Sequence, residues 1–148
     1  MNHEILSLNG QFIGEGINHE NQSFEAHFIA TQTAGVKGVA FRFEARGKDQ
    51  AAFHLESSLL GLNMKGELAL WVMSSNHPGI FERSLKTTNK TDHGTEFIFS
   101  FGDKDNRNVF REEILLDIRP SSVRYVYSWG MPGGDFAERS GCTMKRVV

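Results

Sequence analysis

Cys142 is the chain's one cysteine. That excludes an intramolecular disulfide, a CxxC redox pair and cysteine-based zinc spacing, and it fits a reducing, cytoplasmic setting. Proline is nearly as scarce, with three residues, so little interrupts extended pairing. No apolar run approaches the roughly 20 residues that a membrane-spanning helix needs, and no membrane span is expected. Excess positive charge is missing too. Sixteen Lys and Arg stand against 18 Asp and Glu, for a net charge of −2. This leaves no electrostatic footprint for nucleic acid and no basic face for an anionic membrane. Met1-Asn2-His3-Glu4-Ile5-Leu6 lacks a basic segment followed by an apolar one, so no secretory signal is expected. There is no phosphate loop, GxSxG elbow or HExxH motif, and the histidines make no metal spacing. No cofactor is expected on these grounds.

What is abundant is phenylalanine, with 12 residues, and it recurs with a period of two. Phe24, Ala26, Phe28 and Ala30 alternate with polar residues; so do Val39, Phe41, Phe43 and Ala45, then Phe97, Phe99 and Phe101, then Val123, Tyr125, Tyr127 and Trp129. This is the pattern of half-buried strands. Turn signals divide the chain into about ten strands. They fall near 10–19, 22–33, 36–47, 50–60, 65–75, 80–87, 95–102, 108–119, 122–130 and 136–147, with a short helix within 3–9. At this length the chain is one domain, large enough to bury a core without disulfides. Short connections make neighbours antiparallel. An all-β antiparallel meander results, and closure into a barrel would remove its exposed edges. Gly10, Gly14 and Gly16 would permit the coiling that closure needs. A two-sheet sandwich is the alternative.

Matching apolar faces across each turn predicts register. Around Asp49, Phe43 meets Leu55 and Phe41 meets Ser57, which sets Arg42 opposite Glu56 and Glu44 opposite His54. Around Pro120-Ser121, Ile118 meets Val123, Leu116 meets Tyr125, Ile114 meets Tyr127 and Glu112 meets Trp129. Across the Asp103–Asn108 loop, Phe101 meets Phe110 and Phe99 meets Glu112. Across Gly130–Gly134, Trp129 meets Phe136 and Tyr127 meets Glu138.

His54 and Glu56 lie two residues apart and share a face. They would suit a metal or acid–base pair. The register above instead makes them an exterior ladder with Arg42 and Glu44. The more informative feature is polar residues on the apolar face. Arg83 lies between Phe81 and Leu85, and Glu112 between Phe110 and Ile114. A buried charge is costly unless paired. Arg83, Glu112, Tyr125, Tyr127 and Trp129 are therefore the candidate ligand-binding residues, set in an aromatic-walled cavity for a small apolar or amphipathic molecule. The alternatives are an internal salt bridge in a filled interior, and an enzyme with Glu112 as a proton-transfer base. Trp71 sits in a strand apolar on both faces, which implies burial or a homodimer contact. Cys142 falls on the inward face as an inert core thiol. The Trp129–Gly134 loop is a hairpin connection or a portal lid.

The opening Leu8-Asn9-Gly10-Gln11-Phe12-Ile13-Gly14-Glu15-Gly16 is similar to the first strand, Gly-x-Trp-x-Gly-x-Gly, of lipocalin-like calycin barrels. Nitrobindin-like and fatty-acid-binding-like proteins share that opening, as do several bacterial families. Ser140-Gly141-Cys142-Thr143-Met144-Lys145-Arg146-Val147 resembles their closing strand, which carries a basic residue near its end. The resemblance implies a ligand-holding barrel. Phe12 replaces the usual Trp. No histidine follows His93, whereas nitrobindin-like haem proteins use a late one. Tyr125 and Tyr127 loosely match the late-strand tyrosines with which fatty-acid-binding-like proteins hold a carboxylate, while Arg124 and Arg139 are expected to face outward.

Overall fold

Alternation over almost the whole chain dictates strands, and ten form. A computed structural model describes residues 2–148. The strands are β1 (Gly10–Asn18), β2 (Ser23–Thr33), β3 (Gly38–Arg46), β4 (Ala52–Leu62), β5 (Leu68–Ser74), β6 (Ile80–Lys90), β7 (Thr95–Phe101), β8 (Arg111–Ile118), β9 (Ser122–Gly130) and β10 (Ala137–Arg146). A single helical turn, α1 (His3–Leu6), precedes them. It is capped by the Asn2 side chain, which accepts the Glu4 N–H at 2.9 Å.

Each strand pairs antiparallel with its sequence neighbours, and β1 pairs with β10. The sheet is thus a closed barrel rather than a sandwich, with no free edge. Closure depends on close approach at Gly14, which stands opposite Met144. A Cβ at Gly14 would lie 2.1 Å from the Thr143 carbonyl oxygen.

One end of the barrel is shut. Ile5 and Leu8 are buried beneath the first residues of β1, above a core that includes Phe12, Phe28, Leu60, Leu70, Phe97, Phe99 and Met144. Each such side chain contributes about 1.5–3 kcal/mol by leaving water. Arg146 fastens this end. Its guanidinium donates to the Ser7 and Asn9 carbonyls at 2.7 Å each and lies 4.5 Å from the centre of the Phe12 ring.

Registers hold where turns are tight and shift where bulges intervene. β8 and β9 pair as predicted, from Ile118 with Val123 to Glu112 with Trp129. Between β3 and β4 the predicted register survives only at Arg46 with Ala52. Phe53 is then an extra residue, a β-bulge, and Ala45 pairs with His54, Phe43 with Glu56 and Phe41 with Ser58. One inserted residue reverses which side chains face inward. His54, Glu56 and Ser58 therefore point into the barrel, not outward, and the expected exterior ladder with Arg42 and Glu44 does not form.

Two other registers also differ. Phe101 pairs with Glu112 and Phe99 with Ile114, because Val109 and Phe110 belong to the loop. That offset is two residues, so the inward face is preserved. Ala137 pairs with Trp129, and after a bulge at Arg139, Ser140 pairs with Tyr127. The bulge leaves Glu138 exposed instead of inward, and turns Arg139 toward the open end instead of away from it.

Candidate functional site

The polar inward residues gather toward the end opposite α1. β4 contributes His54, Glu56 and Ser58, β6 contributes Arg83, β8 contributes Glu112, and β9 contributes Tyr125 and Tyr127. The β5–β6 loop adds Asn76 and His77. These side chains form two parallel assemblies, each a buried carboxylate beneath a tyrosine and a histidine.

In the first, Glu56 accepts from Ser58 Oγ at 2.5 Å and from the Tyr125 hydroxyl at 2.6 Å. His54 Nε2 lies 2.9 Å from the same carboxylate, and Asn76 Nδ2 lies 2.8 Å from His54 Nδ1. Phe43 stacks on Tyr125 with ring centres 4.5 Å apart. In the second, Glu112 forms a buried ion pair with Arg83. It also accepts from the Tyr127 hydroxyl at 2.6 Å, and His77 Nε2 stands 2.6 Å from that hydroxyl and 3.1 Å from Glu112 Oε2. Arg83 completes its bonding with the Phe81 carbonyl at 2.9 Å. Among the described residues, no buried side-chain nitrogen or oxygen lacks a partner.

The electrostatics follow from this bonding. Burial pushes the Glu112 carboxyl up, but the His77 hydrogen bond, the Arg83 charge and the Tyr127 hydroxyl outweigh it and hold the group below the usual carboxylate range. Burial drives both tyrosine hydroxyls well above their ordinary value, and the neighbouring carboxylates add to the shift. Burial alone pushes the Cys142 thiol up to about 12.

Above these assemblies the barrel opens into a cavity of about 500 Å³. Its walls are aromatic, formed by Phe24, Phe43, Phe53, Phe110 and Trp129, while His54, His77, Tyr125 and Tyr127 contribute its polar surface. Of the five residues singled out from the sequence, Tyr125, Tyr127 and Trp129 line the cavity. Arg83 and Glu112 do not; they are fully buried beneath it, with Glu112 bonded to Arg83 and Tyr127 and 3.1 Å from His77. His54, Glu56 and His77 were missed as interior residues. The one available signal was the polar alternation His54, Glu56, Ser58, which has the strand period in its own right.

The rim is held by Arg111, a buried guanidinium whose partners are all carbonyl oxygens. It donates to Lys104, Met131 and Gly134 at 3.2, 2.9 and 2.8 Å, tying the β7–β8 loop to the β9–β10 loop. Gly130 makes room for it, since a Cβ there would lie 2.6 Å from the guanidinium carbon. Residues 131–134 are therefore a pinned turn. Arg139 lies over the Trp129 ring at 4.4 Å and completes this side of the mouth. Among the described residues, no cluster of three or more His, Cys, Asp or Glu is arranged to hold a metal ion. No helix among them is long and apolar enough to cross a membrane.

The fold and the cavity define a closed ten-strand antiparallel β-barrel that can hold a ligand. No protein-family profile matches the chain, and no curated protein sequence matches it. Among solved structures it is similar to Rv2717c from M. tuberculosis, with a TM-score of 0.72 and 14% identity over 96% of this chain and 94% of that one. A de novo designed fluorescence-activating β-barrel matches with a TM-score of 0.51 and 11% identity over 99% of this chain and all of that one. At these identities the likeness is one of fold.

Proposed function

We propose that the protein is a lipocalin-like binding barrel that takes a small apolar or amphipathic molecule into its open end, with Tyr125, Tyr127 and Trp129 on the cavity wall and Arg83 and Glu112 holding the floor. The observation that carries this reading is the cavity itself. About 500 Å³ bounded by aromatic faces over a fully hydrogen-bonded polar floor has the size and make-up of a small-molecule site. Native mass spectrometry of protein purified from its own host tests it. A co-purified small molecule released by denaturation is the expected result. Its absence, together with failure of apolar dyes to bind competitively with an added ligand, would remove the reading.

Catalysis is the alternative, and the 3.1 Å approach of His77 Nε2 to Glu112 Oε2 gives it a definite form. Glu112 already accepts from Arg83 and Tyr127, so it would move a proton only through His77. A Glu112→Gln variant with unchanged turnover of every candidate substrate would eliminate this alternative.

A homodimer is supported by the exterior stripe where Leu59 pairs with Trp71 and Met73 with Ile80. Leu59, Met73 and Ile80 are all exposed. Sedimentation showing only monomer at high concentration would refute it.

A further inference from the structure

We propose that the cavity selects a ligand carrying a protonated amine on an apolar body, with the positive charge placed toward Glu56. This rests on the reading of the cavity as a ligand site and narrows it to one head-group chemistry.

The charge inventory is the first ground. Two carboxylates are buried at the floor, Glu56 and Glu112, and one guanidinium, Arg83. Arg83 is committed to Glu112. Glu56 accepts from Ser58, Tyr125 and His54 and has no permanent cation beside it. Two hydroxyl donors and a histidine ring nitrogen thus converge on this one carboxyl group. Glu20 and Arg139 at the mouth carry opposite charges, and Arg139 is spent on the Trp129 and Asp135 carbonyls. Glu56 is thus the buried carboxylate of the floor that, among the described residues, no arginine or lysine pairs.

The hydrogen-bond inventory points the same way. Tyr125 and Tyr127 both give their hydroxyl protons to carboxylates. Tyr127 must then accept from His77, which places the His77 proton on Nε2. Among the described residues, His77 Nδ1 has no protein partner. Because no buried polar side-chain atom among the described residues is unpartnered, this nitrogen is open to solvent. The floor's two tyrosine hydroxyls are already donated to carboxylates, so neither is free for the carboxylate of a ligand. Phe43 and Trp129 belong to the aromatic wall, and the Trp129 ring already holds a cation, the Arg139 guanidinium, at 4.4 Å.

The test uses three probes of one shape, naphthylmethylamine, naphthylmethanol and naphthoate, titrated calorimetrically into the wild-type protein near neutral pH. The amine is expected to bind about tenfold tighter than the carboxylate, ~1.4 kcal/mol, with the alcohol between them. Glu56→Gln, checked for folding by circular dichroism, is expected to weaken the amine about fivefold more than it weakens the alcohol. Naphthoate binding as tightly as the amine overturns the proposal, as does an unchanged amine-to-alcohol ratio in Glu56→Gln. In either case alcohol binding would keep the ligand cavity. If none of the three binds, the cavity reading falls with the proposal. Should Glu56→Gln not fold, the wild-type amine-to-carboxylate ratio decides alone.

Discussion

The Tyr125 hydroxyl donates to Glu56 across the barrel interior, 2.6 Å between oxygens and 69 residues apart in sequence. The bond joins β9 to β4, two strands that share no backbone ladder. It therefore braces the floor of the cavity across the barrel and not along the sheet.

Tyr125→Phe removes one donor from a buried carboxylate while keeping the ring stacked on Phe43. Hydrogen bonds to charged groups are worth about 1.5–3 kcal/mol, and a loss of that order is expected. The check is a lower urea midpoint with an unchanged slope.

Alkali should reveal the same brace. The chain has two tyrosines, and both are raised above their ordinary value of 10.0 by burial first and carboxylate charge second. The unfolded chain then gives up these protons at lower pH than the folded one. Their contribution to stability is complete below pH 10 and declines as pH rises beyond it. Tyrosinate absorbance is expected to appear only together with unfolding. Two independent titrations in folded protein would refute this.

Acid acts through Glu112. Its carboxyl is held below the ordinary value of 4.5, so it stabilises the fold fully above that pH. The contribution is lost as pH falls from there through the folded-state value. Urea midpoints measured on acidification should drop over that window. Glu112→Gln should flatten the drop and cost about 3–5 kcal/mol at neutral pH, because Arg83 is left buried without its partner.

Arg111→Lys replaces a planar fork with a single ammonium that cannot span the carbonyls of both loops. Faster amide exchange at residues 131–134 is expected, with a loss of about 2 kcal/mol. Unchanged exchange there would show that Arg111 does not pin the rim.

Cys142 is buried, with its thiol pushed up to about 12. Thiol reagents should modify it only at the rate at which the barrel opens. Reaction much faster than unfolding would contradict its placement.

The strands were legible because alternation is local and the turns are rich in Gly, Asn and Asp. The β8–β9 register was legible because Arg119 N–H closes directly on the Ser122 carbonyl at 3.0 Å, leaving no slack. Tyr125, Tyr127 and Trp129 followed from that register. β4 was misread because it is built inside out. Leu55 and Leu59 face outward, while His54, Glu56 and Ser58 face in. The bulge at Phe53 that causes the reversal has no residue signature of its own, and Gln50 beside it takes a φ of 65° without being glycine. Binary patterning fails where a strand serves a cavity and not a core. His77 was invisible for a different reason. Ser75-Asn76-His77-Pro78-Gly79 has the composition of an ordinary turn, and a loop residue has no period to betray its direction.

The seam between β1 and β10 sets the order of events in the making of the barrel. Every other ladder joins neighbours in the chain and can zip from its own turn. The seam joins Phe12 to Arg146 and Asn18 to Ser140, and both strands must exist before it can form. The wall therefore closes only when β10 pairs with β1. Ile5 and Leu8 have no finished end to shut until Arg146 arrives to clasp Ser7 and Asn9. Of all the ladders, the seam spans the most chain and so carries the largest loop-closure cost. Until it forms, the phenylalanine-rich interior is open along one side.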